Sequence, residues 1–170
     1  MLNWFSQSPQ SDSVVITGAS TGIGAACALA LDKLGYRVFA GVRHSADGER
    51  LQQQAGPRLM PIRLDVTDAA SISAASHTVA AMVGERGLAG LVNNAGIGVA
   101  GPIELLPLAD WRRQFEVNVF GLIAVTQTFL PLIRTGRGRI INMGSIAGRA
   151  AMPFMAPYAA SKHALEAITD

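Results

Sequence analysis

Short apolar runs alternate along this chain with longer stretches of helical composition, and the alternation predicts its elements. Val14-Val15-Ile16 is a β-branched run bounded by Gly18, which reads as a buried strand. Residues 23–34 are rich in Ala and Leu, which favours helix, and Gly35 supplies the stop. Residues 37–42 form a second strand and residues 46–54 a polar surface helix. A third strand spans 59–66, and Pro61 assigns it to a sheet edge because proline cannot donate to the ladder. Thr67-Asp68 can cap a helix over 69–83. Leu91-Val92 is a short fourth strand, ending at Asn93-Asn94-Ala95-Gly96. A helical region over 108–133 follows, with a break or bend expected at 118–121, then a fifth strand over 139–143 and a last helix over 158–169.

Strict alternation of strand and helix predicts an α/β fold: a doubly wound, Rossmann-like parallel sheet with helices on both faces. Five strands in the order 3-2-1-4-5 are expected, with residues 1–12 a loose N-terminal segment and 13–170 one domain. The usual two-half arrangement has at least six strands. C-terminal strands are therefore expected to be missing, leaving the fifth strand with an unpaired edge that exposes backbone donors and apolar side chains.

Composition narrows the classes. A length of 170 residues, 49% hydrophobic and 15% charged, suits one globular core and excludes a disordered chain. A net charge of +2 without a Lys/Arg run gives nucleic-acid binding no electrostatic support. The longest apolar stretch, 120–133, is interrupted by Thr126, Gln127 and Thr128 and is shorter than the ~20 residues that span a bilayer, so a core helix is expected and no membrane span. Residues 1–12 lack the pattern of a signal or transit peptide. With the single Cys27 read as a small buried side chain, this points to a reducing, cytoplasmic setting. His44, His77 and His163 have no metal-ligand spacing.

Chemistry concentrates in the turns that follow the strands. Thr17-Gly18-Ala19-Ser20-Thr21-Gly22-Ile23-Gly24 joins the first strand to the first helix. Glycines there let backbone approach a pyrophosphate, and the free N–H groups of the helix start stabilise the anion; an ordinary strand-to-helix turn is the plainer reading. The second strand ends in Gly41-Val42-Arg43-His44 with no carboxylate for a ribose hydroxyl. Arg43 can instead pair with a 2′-phosphate, which favours NADP over NAD, or it is a solvated surface residue.

Tyr158 and Lys162, four residues apart, share one helix face. A free phenol titrates near ~10, too high for acid/base work at neutral pH, and a nearby ammonium favours the phenolate. Alone, the pair also fits a half-buried Tyr beside a surface Lys. Ser145 follows the fifth strand, and Asn93 and Gly96 end the fourth, on the rim where open parallel sheets bind ligands. Asn118 is a polar amide in apolar surroundings, available to satisfy freed helix backbone or to orient Lys162. Met152, Phe154 and Met155 line a substrate entrance or simply pack.

These motifs together resemble the short-chain dehydrogenase/reductase family over residues 13–170. The Thr17–Gly24 loop is similar to its cofactor fingerprint, and Asp65-Val66 to its adenine-contacting pair. Asn93-Asn94-Ala95-Gly96, Asn118-Val119-x-Gly121, Gly144-Ser145 and Tyr158-x-x-x-Lys162 follow in family order. The resemblance implies an oxidoreductase moving hydride between NADP(H), or NAD(H), and an apolar alcohol or ketone. It implies cofactor contacts from Thr17, Gly18, Ser20, Thr21, Gly22, Ile23, Gly24, Arg43, Asp65, Val66, Asn93, Ala95, Gly96, Tyr158 and Lys162. It implies Tyr158 as acid/base, Lys162 as the group that lowers its pKa and binds the nicotinamide ribose, Ser145 as the substrate-oxygen ligand, and Asn118 as support for Lys162 and a water-borne proton relay. It further implies a homodimer or homotetramer. Alternatives are a dinucleotide-binding fragment without turnover and an epimerase or dehydratase relative.

Overall fold

A computed structural model describes residues 12–170. The expectation of a loose segment at 1–12 falls, apart from Asp12, outside the described residues. Asp12 itself is tied down, its carbonyl accepting from the Arg37 N–H at 2.9 Å.

Five parallel strands form one sheet in the order β3-β2-β1-β4-β5. They are β1 (Ser13–Ile16), β2 (Arg37–Val42), β3 (Leu59–Arg63), β4 (Gly90–Asn93) and β5 (Arg139–Asn142). Helices α1 (Gly22–Lys33), α2 (Ser45–Gln52), α3 (Ala69–Val83), α4 (Leu108–Phe115), α5 (Leu122–Thr135) and α6 (Ala156–Thr169) connect or follow them. The β1 run is apolar throughout because both of its faces are covered. Val14 and Ile16 pack with Ala28 of α1 and Leu51 of α2. Val15 points the other way, into a core with Phe39, Val79 of α3 and Phe129 of α5. Cys27 is half-buried against the first of these clusters.

Pro61 does sit at an edge, on β3, where its missing N–H costs no ladder bond. The strand is shorter than expected: Leu64 and Val66 are buried in the core, but beyond Arg63 the chain leaves the ladder toward the site. β5 forms the opposite edge, with Ile140 and Ile141 exposed.

Asp68, not Thr67, caps α3: its carboxylate accepts the Ala70 N–H at 2.9 Å. Asp68→Ala is expected to cost about 1 kcal/mol, read as a lower thermal midpoint. An unchanged midpoint would show that water satisfies the helix start equally well.

The expected break at 118–121 is not a break. One helical stretch runs Leu108–Thr135, and residues Glu116–Gly121 form a π turn within it. The wider turn turns Asn118 inward without ending the helix. This stretch is 28 residues long and its most apolar 18 residues have a mean hydropathy of 1.5, enough by length and composition to cross a bilayer, which the narrower 120–133 window had not indicated. Its Val125, Phe129 and Ile133 are fully packed in the sheet core, and a core helix meets the same criteria of length and composition.

Candidate active site

The strand order reverses direction between β1 and β4, so the loops leaving their carboxyl ends diverge and open a crevice. A cleft of about 670 Å³ lies there, lined by the 18–24 loop, Gly41 to Arg43, Leu64 to Thr67, and Asn94 to Ile97.

Its floor depends on close backbone approach. Gly18 has φ +64°, and a side chain there would meet Ala95 Cα at 2.8 Å. The Thr21 side chain makes no cap bond to α1, so the N–H groups that open this helix face the cleft unclaimed. An anion fits such a start. The residues present therefore suit a dinucleotide pyrophosphate, with Ser20, Thr21, Gly22, Ile23 and Gly24 around it.

Asp65 and Val66 line this cleft. Burial alone raises the Asp65 carboxyl, but the Thr67 N–H at 3.0 Å and the Thr67 hydroxyl at 2.7 Å, with Arg43 and Arg63 nearby, outweigh it and hold the group below its ordinary value. Arg43 is exposed at the cleft margin.

Two residues expected at the cofactor, Thr17 and Asn93, are absent from the cleft lining. Thr17 is buried and stitches the two loops, its hydroxyl accepting from the Asn94 N–H at 3.0 Å and the Ala95 N–H at 2.9 Å. Asn93 is also buried, donating to Thr126 and Asn142 at 2.9 Å each, and does not line the cleft. Its neighbour Asn94 does, and its amide donates to the carbonyls of Thr17 and Gly18, both at 3.0 Å. The strand alternation explains the exchange: Asn93 is still within β4 and points to a sheet face, whereas Asn94 has left it.

Tyr158, Lys162 and Ser145 stand beside the cleft rather than in its lining. Tyr158 begins the second half of the first turn of α6, and Lys162 follows one turn later, with Nζ 5.8 Å from the phenol ring centroid. The ammonium does not bond the phenol; it donates to the Met143 carbonyl at 2.5 Å. That bond ties α6 to the end of β5, two residues before Ser145. Burial pushes the Lys162 amine below the ordinary lysine range. The Ser145 hydroxyl accepts the Ala147 N–H at 3.2 Å.

Asn118 does not bond Lys162 or its own helix backbone. Its amide accepts from the Ile97 N–H at 2.9 Å and donates to the Ile97 carbonyl at 3.0 Å and to Ser161 at 3.1 Å. The Ser161 hydroxyl passes the link on to the Tyr158 carbonyl at 2.7 Å. Ser161 and Gln114, which holds the same loop, were not expected from sequence; each is a polar residue one helical turn from a motif position, on the buried face. His163 faces out, its ring nitrogen 2.9 Å from the Ala159 carbonyl.

The short chain dehydrogenase family model matches residues 12–170. The chain is 43% identical over 176 residues to 17-beta-hydroxysteroid dehydrogenase type 6 of Bos taurus, covering 100% of this chain and 55% of that protein. It is 43% identical over 164 residues to retinol dehydrogenase 5 of Mus musculus, covering 95% and 51%. Among solved structures, an NAD+-bound xylitol dehydrogenase superposes with a TM-score of 0.89 at 28% identity, over 96% of this chain and 64% of that one. A gluconate 5-dehydrogenase from Burkholderia cenocepacia, in complex with NADP and tartrate, does so with a TM-score of 0.83 at 30% identity, over 95% and 66%. The chain thus spans about half the length of the curated relatives it matches. With the cleft at the switch point, the bare helix start and the Tyr158–Lys162 pair on the adjoining rim, these matches place the chain in the short-chain dehydrogenase/reductase family.

Proposed function

We propose that the protein interconverts an apolar alcohol and ketone using NADP(H), in the cytoplasm, with Tyr158 as acid/base. The observation that carries this reading is the position of Tyr158 and Lys162 on a rigid helix directly beside the dinucleotide cleft, joined to it through Asn118, Ser161 and the 97–99 loop. A bound nicotinamide supplies or accepts the hydride.

The protein's own residues handle the proton and the oxygen. In reduction the Tyr158 hydroxyl gives its proton to the substrate oxygen; in oxidation the phenolate takes it back. The Ser145 hydroxyl donates to the same oxygen and holds it near Tyr158. The Lys162 ammonium, beside the ring, stabilises the phenolate left after proton transfer. Its bond to the Met143 carbonyl ties α6 to the end of β5, and the same ammonium would hold a cofactor ribose. Exposed Ile146, Met152 and Phe154 stand on the segment between Ser145 and Tyr158, so they would offer an apolar wall to substrate. The names of the steroid and retinol relatives fit an apolar substrate of that kind.

Arg43 carries the preference for NADP. It lines the same cleft as Asp65, and no acidic residue ends β2 to take a ribose hydroxyl. Charge-assisted bonds to a phosphate contribute about 1.5–3 kcal/mol, which is at least tenfold in affinity. Arg43→Asp should therefore weaken NADPH binding about tenfold or more while changing NADH binding little. Fluorescence titration with both dinucleotides tests this, and equal losses would remove the NADP assignment. Turnover of a hydrophobic ketone with NADPH tests the activity itself; saturable NADPH binding without any turnover would leave only a dinucleotide-binding role.

A further inference from the structure

Gln114 is completely buried on α4, although its neighbours Arg112, Arg113 and Glu116 are exposed. A buried amide needs partners, and Gln114 finds both on one loop. It accepts from the Val99 N–H at 2.7 Å and donates to the Ile97 carbonyl at 2.7 Å. These two bonds bracket Gly98. A Cβ added at Gly98 would reach ordinary contact with Cδ2 of the Tyr158 ring, at 3.9 Å, so the loop passes beside the phenol with room for about one methyl group between them. Ile97 itself lines the cofactor cleft.

Asn118 grips the same peptide one turn further along the helix. The Ile97 carbonyl thus receives two donors, one from Gln114 and one from Asn118, while the Ile97 N–H goes to Asn118. The Asn118 amide has only one orientation that both accepts from the Ile97 N–H and donates to the Ile97 carbonyl. An apolar side chain at 114 would strand the Val99 N–H and remove one of the two donors to the Ile97 carbonyl.

We infer that Gln114 is a positioning residue for the reaction. It fixes the 97–99 loop so that Ile97 keeps its place in the cleft lining and Gly98 keeps its place beside the Tyr158 ring. The inference rests on the reading of Tyr158 as acid/base. Misplacement of a reacting group by about 1 Å can cost on the order of a hundredfold in rate, so a loosened loop should act on kcat more than on dinucleotide binding.

The test compares Gln114→Met, Gln114→Glu, Val125→Ala and Tyr158→Phe in the purified protein, with NADPH and a hydrophobic ketone. Gln114→Met should lower kcat at least about tenfold with the KM for NADPH within about threefold. Gln114→Glu should recover most of that loss, because a buried carboxyl stays protonated and can both accept from Val99 and donate to Ile97. Val125→Ala removes core packing from α5, away from the loop, and should lower the thermal midpoint while keeping kcat. An unchanged kcat in Gln114→Met, an equal loss in Val125→Ala, or no recovery in Gln114→Glu would each overturn the assignment. Retained turnover in Tyr158→Phe would overturn the acid/base reading, and the inference with it. Should Gln114→Met fail to fold, Gln114→Asn, one methylene short of both partners, takes its place in the same comparison.

Discussion

Tyr158→Phe lowers turnover by about a thousandfold or more and leaves dinucleotide affinity within about threefold of the parent protein. The substitution removes one oxygen and nothing that holds the fold. The Ser161 bond goes to the Tyr158 backbone carbonyl, and the ring edge that faces Gly98 is carbon, so neither is altered in Phe. Tyr158 does not line the cleft where the adenine and pyrophosphate would rest, which is why binding should persist. Losing the hydroxyl leaves the substrate oxygen with Ser145 alone, a hydrogen-bond donor that no adjacent base is seen to activate. General acid/base catalysis contributes about 10²–10⁴ in rate, and no other described titratable side chain is placed by these contacts to replace it. Rapid-mixing measurement of NADPH oxidation with a saturating ketone would decide the matter. A Phe variant retaining a tenth of the parent rate would mean that protonation comes from elsewhere, and the mechanism would have to be abandoned.

The architecture could be read from the chain because its strands are short apolar runs between strong punctuation. Val14-Val15-Ile16 needs cover on both faces, and that need alone implies helices on both sides of a parallel sheet. Pro61 located an edge, and Asp68 a helix start, each through a single backbone N–H. The motifs that meet at the carboxyl ends of the strands were visible for the same reason: turns after strands tolerate only certain residues.

What escaped was the internal wiring. Nothing in Glu116–Gly121 announces a π turn, because its closure depends on partners elsewhere in the fold, above all the Ile97 peptide that Asn118 holds. Gln114 sits in the polar string Arg112-Arg113-Gln114 and reads as a surface residue; only its spacing of four from Asn118 marks it as lying on the inner face. The exchange between Asn93 and Asn94 was equally hidden, since a one-residue shift in where β4 ends decides which amide reaches the cleft. Lys162 shares a helix face with Tyr158 as its spacing requires, yet its ammonium goes to the Met143 carbonyl, a partner that becomes available only when α6 packs beside β5.

Gly24→Ala should reduce dinucleotide affinity about a hundredfold, against what helix propensity alone would suggest. In an unencumbered helix this change stabilises by about 1 kcal/mol. Here the added Cβ would lie 2.4 Å from the Gly18 carbonyl oxygen and 2.4 Å from the Asn94 amide nitrogen, where ordinary contact begins at 3.4 Å. Both neighbours must retreat by roughly 1 Å, and they are bonded to each other at 3.0 Å. The Asn94 bonds to Thr17 and Gly18 contribute about 1 kcal/mol each, so their disruption already offsets the propensity gain. The larger consequence falls on the site. Gly18 and Asn94 belong to the two loops that form the walls of the cleft, and moving them apart spoils the approach of backbone N–H groups to a pyrophosphate. A hundredfold loss corresponds to about 2.7 kcal/mol, within the range of a single charge-assisted bond. Far-UV circular dichroism and a thermal melt, run beside the NADPH titration, separate this from unfolding. Affinity within threefold of the parent, with the fold intact, would show that the bare start of α1 does not hold the anion and that the dinucleotide is bound by other groups.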